Sequence, residues 1–124
     1  MNKDNLFAFY GTLRKGMENH ILYGKGMRYV ETVQLNGYKL YSLGDEYPYA
    51  VISDTMNDRI VAELFHITDR DVATAIHDME IDAGYDYHEI DVHGKIVGIY
   101  LFATARPGDT VIVSGDWVEF VTQN

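Results

Sequence analysis

A helix-length amphipathic pattern stands out only once in this chain, between residues 69 and 80; the other apolar residues gather in short β-prone runs closed by glycine or turn-forming residues. That distribution predicts an α+β chain built mainly of strands, because period-2 and short continuous apolar runs fill a sheet while only one stripe has the 3.6-residue period of a helix. The first run, Leu6-Phe7-Ala8-Phe9-Tyr10, reads as a buried strand ending at Gly11. Gly11 to Gly16, with charges between the bracketing glycines, marks a loop, followed by a polar turn around Glu18-Asn19-His20. Met27 to Leu35 and Tyr38 to Leu43 are joined by Asn36-Gly37, which predicts a hairpin with a two-residue type I′ turn. Pro48 to Ser53 and Ile60 to Ile67 are further strands, separated by turn-forming residues 54–58.

Thr68, with Asp71 three residues on, predicts the N-cap of a helix over Asp69 to Glu80, and Val72, Ile76 and Met79 form its core-facing stripe. Strand character returns from Tyr85 to Val92 and from Lys95 to Thr104, hinged at His93-Gly94, with a last short strand before Ser114-Gly115-Asp116-Trp117. The sum is about seven strands and one main helix: a mixed, mainly antiparallel sheet or small β-barrel with the helix packed against it.

At 124 residues the chain fits one domain, residues 1–124, with no internal boundary or repeat. It has no cysteine, so disulfides, thiolate nucleophiles and Cys-ligated metals are excluded, and the compartment expected is cytoplasmic. A net charge of −9 repels phosphate backbones and anionic lipid, which argues against nucleic acid and membrane partners. The uncharged run Ile96 to Ala105 is about half of what a membrane span needs, and the apolar stretch Leu6 to Tyr10 is too short for a signal peptide. The five histidines lack the HxxxH or HxH spacing that sets two on one face, so no metal is expected.

Two places carry candidate chemistry. Glu80 lies about 40° beyond Ile76 on the helical wheel, on the shoulder of the apolar stripe and near the helix C-terminus. Partial desolvation and the macrodipole both push such a carboxyl upward, toward the range of a general acid/base; the alternative is a boundary Glu reaching for water. The loop Tyr10-Gly11-Thr12-Leu13 can converge successive backbone N–H groups into a nest for a carboxylate, or it is an ordinary strand-ending turn. Strand alternation sets Tyr100 with Phe102 on one face, near the same pocket. His77, three residues before Glu80, is either a partner for it or an exposed helical His; Glu63 is either a buried partner or an outward-facing strand carboxylate; Trp117 reads as packing.

The order of motifs along nearly the whole chain resembles the γ-glutamyl cyclotransferase-like superfamily, in particular its short bacterial and γ-glutamylamine cyclotransferase-like (AIG2-like) members. The resemblance is carried by Phe7-Ala8-Phe9-Tyr10-Gly11-Thr12-Leu13-Arg14-Lys15-Gly16 with Asn19-His20, then Gly37-Tyr38-Lys39-Leu40-Tyr41, Tyr47-Pro48-Tyr49-Ala50, Val61-Ala62-Glu63-Leu64-Phe65, Ile76-His77-Asp78-Met79-Glu80 and Ser114-Gly115-Asp116-Trp117. It implies a small mixed barrel with flanking helices, a substrate loop at Tyr10 to Leu13, a catalytic acid/base at Glu80, and cofactor-free cyclisation of a small γ-glutamyl substrate to 5-oxoproline with release of an amine. A monomer or homodimer is the expected state. The chain departs from the family's usual residues at Ala62, at Ile76-His77, at Ile81 and at His88, which leaves a catalytically silent binding member or a vestigial pocket as alternatives.

Overall fold

The computed structural model describes residues 2–44 and 47–123. Among these described residues eight strands form in the order β1 (Leu6–Phe9), β2 (Met27–Asn36), β3 (Tyr38–Leu43), β4 (Tyr47–Ile52), β5 (Arg59–Ile67), β6 (Asp86–Val92), β7 (Lys95–Leu101) and β8 (Thr110–Val111). Three α-helices accompany them: α1 (Glu18–Tyr23), α2 (Arg70–Asp82) and α3 (Trp117–Thr122). The strands make a five-stranded sheet in the order β2-β5-β1-β7-β6 and a three-stranded sheet in the order β4-β3-β8. Pairing is antiparallel except between β1 and β7, where Phe7 stands opposite Gly98. The mixed, mainly antiparallel α+β architecture with one main helix is as the sequence implies, but the strands divide into two sheets and do not close into a barrel.

Alternation along β1 sets up both sides of the larger sheet. Leu6 and Ala8 face one core cluster with Val33, Leu64, Ile99 and Trp117; Phe7 and Phe9 face the other with Phe65, Ile76 and Tyr100. Trp117 is thus buried packing, as its sequence context suggests. Helix α2 lies over the second cluster through Ile76, which is fully buried, with Val72 and Met79 partly buried on the same stripe. Its N-cap is Asp69, not Thr68: the Asp69 carboxylate accepts from the N–H groups of Asp71 and Val72 at 2.8 and 3.3 Å. Thr68 instead donates its hydroxyl to the Gly26 carbonyl, which takes it out of the cap.

The hairpin expected at Asn36-Gly37 does not form. Asn36 remains in the β2–β5 ladder opposite Arg59, and Gly37 (φ 90°) turns the chain from one sheet into the other, its N–H donating to Asp58 and its carbonyl accepting from Ser53, both at 2.8 Å. A type I′ turn requires positive φ at both central residues. His93-Gly94 meets that requirement, at 54° and 82°, and joins β6 to β7 with Val92 opposite Lys95. Strand β2 runs its whole length against β5, so a long nonlocal ladder overrides the local turn preference of Asn-Gly. β7 likewise ends at Leu101, earlier than the expected Thr104, because the Phe102 N–H leaves the sheet to donate to Ala50 of β4 at 3.0 Å. No helix among the described residues is long and apolar enough to cross a membrane.

Candidate active site

Three elements meet at a cleft where β1 ends. Helix α2 stops in a Schellman motif: Gly84 takes φ 101°, its N–H donates to Ile81, and the Tyr85 N–H donates to the Glu80 carbonyl at 3.0 Å. This geometry folds Tyr85 back beside Glu80, the last core-shoulder residue of the helix, and the Tyr85 hydroxyl then donates to the Pro48 carbonyl of β4. The narrow part of the cleft, about 30 Å³, is bordered by Gly11, Thr12 and Leu13 of the loop after β1, by Glu80 and Tyr85, and by Tyr100 of β7. Thr12, Glu80 and Tyr85 also border a wider adjoining vestibule of about 290 Å³. All five residues singled out beside Glu80, namely Tyr10, Gly11, Thr12, Leu13 and Tyr100, line the narrow part.

The loop is held by its carbonyls and side chains, leaving its amides uncommitted. The Thr12 carbonyl accepts from the N–H groups of Asn19 and His20 at 3.0 and 3.2 Å, and the Thr12 hydroxyl accepts from the Asn19 amide at 2.7 Å. His20 Nδ1 lies 3.1 Å from the Leu13 carbonyl, an acceptor only, so the ring nitrogen there carries the proton and donates. Among the described residues, no acceptor is bonded to the amides of Gly11, Thr12 or Leu13. Three successive N–H groups without an acceptor thus border the cleft, which is what a backbone site for an anion requires.

Burial pushes the Glu80 carboxyl up from 4.5 to about 7. The cause is desolvation, and among the described residues no donor bonds the carboxylate to offset it. Tyr10, Tyr85 and Tyr100 are each raised above the ordinary tyrosine value, by burial first and by the Glu80 charge as well. These phenols stay neutral near pH 7, and Glu80 is the one residue lining the narrow cleft that titrates there. Tyr10 contributes its ring and backbone to the cleft, since its hydroxyl donates to the Tyr100 carbonyl at 2.6 Å and accepts from Ala50 N–H at 3.1 Å. His77 does not bond Glu80; its Nδ1 pairs with the Tyr100 hydroxyl at 2.9 Å. Of the departures from the family pattern, Ile81 and His88 border neither part of the cleft. No group of three or more His, Asp or Glu among the described residues converges as a metal would require.

Sequence reasoning missed the wall opposite the helix. Tyr85 and Pro48 line the narrow cleft and Asn19 the vestibule; Asn19 and Pro48 stand in motifs that carry the family resemblance, but none of the three was singled out as a site residue. It also left Arg14 without a role and Glu63 undecided. Glu63 is buried, its carboxylate accepting from Arg14 Nε and from the Lys15 N–H, both at 2.8 Å. Arg14 Nη1 also reaches Asp116 at 2.7 Å.

Gly11 needs its lack of a side chain for space and not for φ: a Cβ there would lie 2.7 Å from Pro48 Cγ. Gly11→Val is therefore expected to destabilise the fold by about 1–3 kcal/mol through overpacking, read as a lower melting temperature. An unchanged melting temperature would mean that the Pro48 ring yields freely.

The fold recurs in solved structures. An uncharacterized protein from Pyrococcus horikoshii matches with a TM-score of 0.78 at 29% identity, over 95% of this chain and 93% of its own. A uropathogenic E. coli-specific protein gives a TM-score of 0.77 at 22% identity over 97% of each chain. An AIG2-like protein from Mus musculus gives 0.68 at 18% identity, over 83% of this chain and 80% of its own. The last two, at such identities, attest the fold alone. No curated protein matches the chain. The loop, Glu80 and Tyr100 all fall inside a sequence match over residues 7–119 to the family described as gamma-glutamyl cyclotransferase, AIG2-like, and the chain belongs to that family.

Proposed function

We propose that the protein releases an amine from a γ-glutamyl amine or γ-glutamyl amino acid by intramolecular cyclisation to 5-oxoproline, with Glu80 as the acid/base. Family membership implies γ-glutamyl cyclotransferase-like activity in general. The observation that carries the specific reading is a desolvated carboxylate, raised to about 7, sharing one cleft with three free backbone amides. The ionised carboxylate takes a proton from the substrate's α-ammonium group, and the freed nitrogen attacks the γ-carbonyl carbon. The C–N bond to the departing amine then breaks as the protonated Glu80 returns its proton to that nitrogen, and the second proton shed by the ring nitrogen ends on the released amine, giving 5-oxoproline and the ammonium form of the amine with no water consumed. A pKa near the working pH suits both transfers. The Gly11–Leu13 amides hold the substrate's carboxylate or its carbonyl oxygen, and the folding of substrate that brings nitrogen to carbon supplies up to about 7–11 kcal/mol in favourable cases.

The test is release of 5-oxoproline from a panel of γ-glutamyl amines and γ-glutamyl amino acids; no release from any member would refute the reading. The pH profile is a second check. Protonated Glu80 cannot accept the ammonium proton, so kcat/KM is lost as pH falls through about 7, well above an ordinary Glu limb. The groups facing Glu80 are the neutral phenols of Tyr10, Tyr85 and Tyr100, while His77 sits one turn back along α2. His77→Gln is expected to leave the limb in place, because Gln can still bond the Tyr100 hydroxyl; a limb that drops toward 4.5 would show that the carboxyl is not shifted.

A further inference from the structure

The narrow cleft has room for a carboxylate or carbonyl group but not for a whole substrate, so most of a γ-glutamyl compound must occupy the vestibule. Its walls are Glu18 and Asn19 of α1, Met79 of α2 and Ala83 just after it, and the rings of Tyr47 and Tyr85. Two aromatic rings and a thioether suit a methylene chain, and the ring faces attract a cation. Among the described residues, the formal charges on these walls are Glu80 and the exposed carboxylate of Glu18, and no Lys, Arg or His borders the space. The basic side chains of the neighbouring loop and of α1 are engaged elsewhere. Arg14 is buried between Glu63 and Asp116, Lys15 Nζ sits 3.6 Å over the Tyr29 ring, and the His20 ring packs against Phe65.

We propose that the vestibule selects a γ-glutamyl amine whose departing part is an aliphatic chain ending in a cation and carrying no carboxylate, such as a mono-γ-glutamylated diamine. This inference rests on the cyclisation reading and adds the substrate class to it. A terminal ammonium meets Glu18 and the faces of Tyr47 and Tyr85, whereas a terminal carboxylate meets Glu18 with no counter-cation on the walls. The chain's net charge of −9 acts in the same direction.

The experiment uses three γ-glutamyl amides with tails of matched length: those of 1,4-diaminobutane, pentylamine and 5-aminopentanoate. Turnover is followed as 5-oxoproline with the wild-type protein, and affinity is measured by calorimetry on the Glu80→Gln protein. The cationic tail is expected to exceed the anionic one by at least about fivefold in kcat/KM and in affinity, and Glu18→Gln is expected to cut that ratio at least about twofold. Equal or better performance of the anionic tail overturns the inference. Binding in the expected order with no 5-oxoproline from any of the three overturns the cyclisation reading and leaves the vestibule's selectivity standing. If none of the three binds, both fall.

Discussion

Glu80→Gln is expected to lower turnover by at least about 10² while preserving the fold, because the amide matches the carboxylate in shape and cannot shuttle a proton. Its effect on stability has a definite sign. The folded-state carboxyl is raised to about 7 from 4.5, so the native protein carries a desolvation cost that is absent below pH 4.5, grows as pH rises, and is complete above 7. Glu80→Gln removes it. The variant should match the parent near pH 4 and be more stable at pH 8, by at most about 3 kcal/mol and by less to the extent that the cleft is wet. Urea denaturation at the two pH values, run beside the 5-oxoproline assay, separates the outcomes: unchanged turnover removes Glu80 from the chemistry, and an unchanged pH dependence of stability removes the burial argument.

That a loss of activity should accompany a gain in stability explains why Glu80 was readable from the sequence at all. Its position on the shoulder of an apolar stripe is a local property of a helix, fixed by a 100° advance per residue, and Ile76 and Met79 sit where that advance puts them. The cause that carries the shift is burial. The loop after β1 was readable as a loop, but its free amides depend on which carbonyls α1 satisfies, a fact set by the fold. Asn36-Gly37 shows the same limit from the other side. Its local chemistry favours a hairpin, and the β2–β5 ladder, which pairs residues far apart in sequence, decides otherwise. Tyr85 reaches the cleft because Gly84 reverses the chain, and the contact it makes with Pro48 spans 37 residues.

The longest such link holds the loop itself, and it carries the second large effect. Arg14 follows the three free amides directly, its N–H donating to the Gly11 carbonyl at 3.1 Å, while its guanidinium ties β5 through Glu63 and the start of α3 through Asp116, 49 and 102 residues away. Side-chain exposures are 8% for Arg14 and 6% for Glu63, so this pair is desolvated and not a surface bridge. Arg14→Met keeps the length of the side chain and leaves the Glu63 carboxylate buried with only the Lys15 N–H to face it. The expected destabilisation is about 3–5 kcal/mol at pH 7. Arg14→Met with Glu63→Gln should recover part of the stability, because no uncompensated charge remains. Chemical denaturation of the single and double variants at pH 7 measures both effects. A single variant that loses less than about 1 kcal/mol would place the pair among exposed bridges. A double variant no better than the single would mean that the guanidinium acts through Asp116 and the α3 cap, where the Asp116 carboxylate also accepts the Glu119 N–H at 3.2 Å.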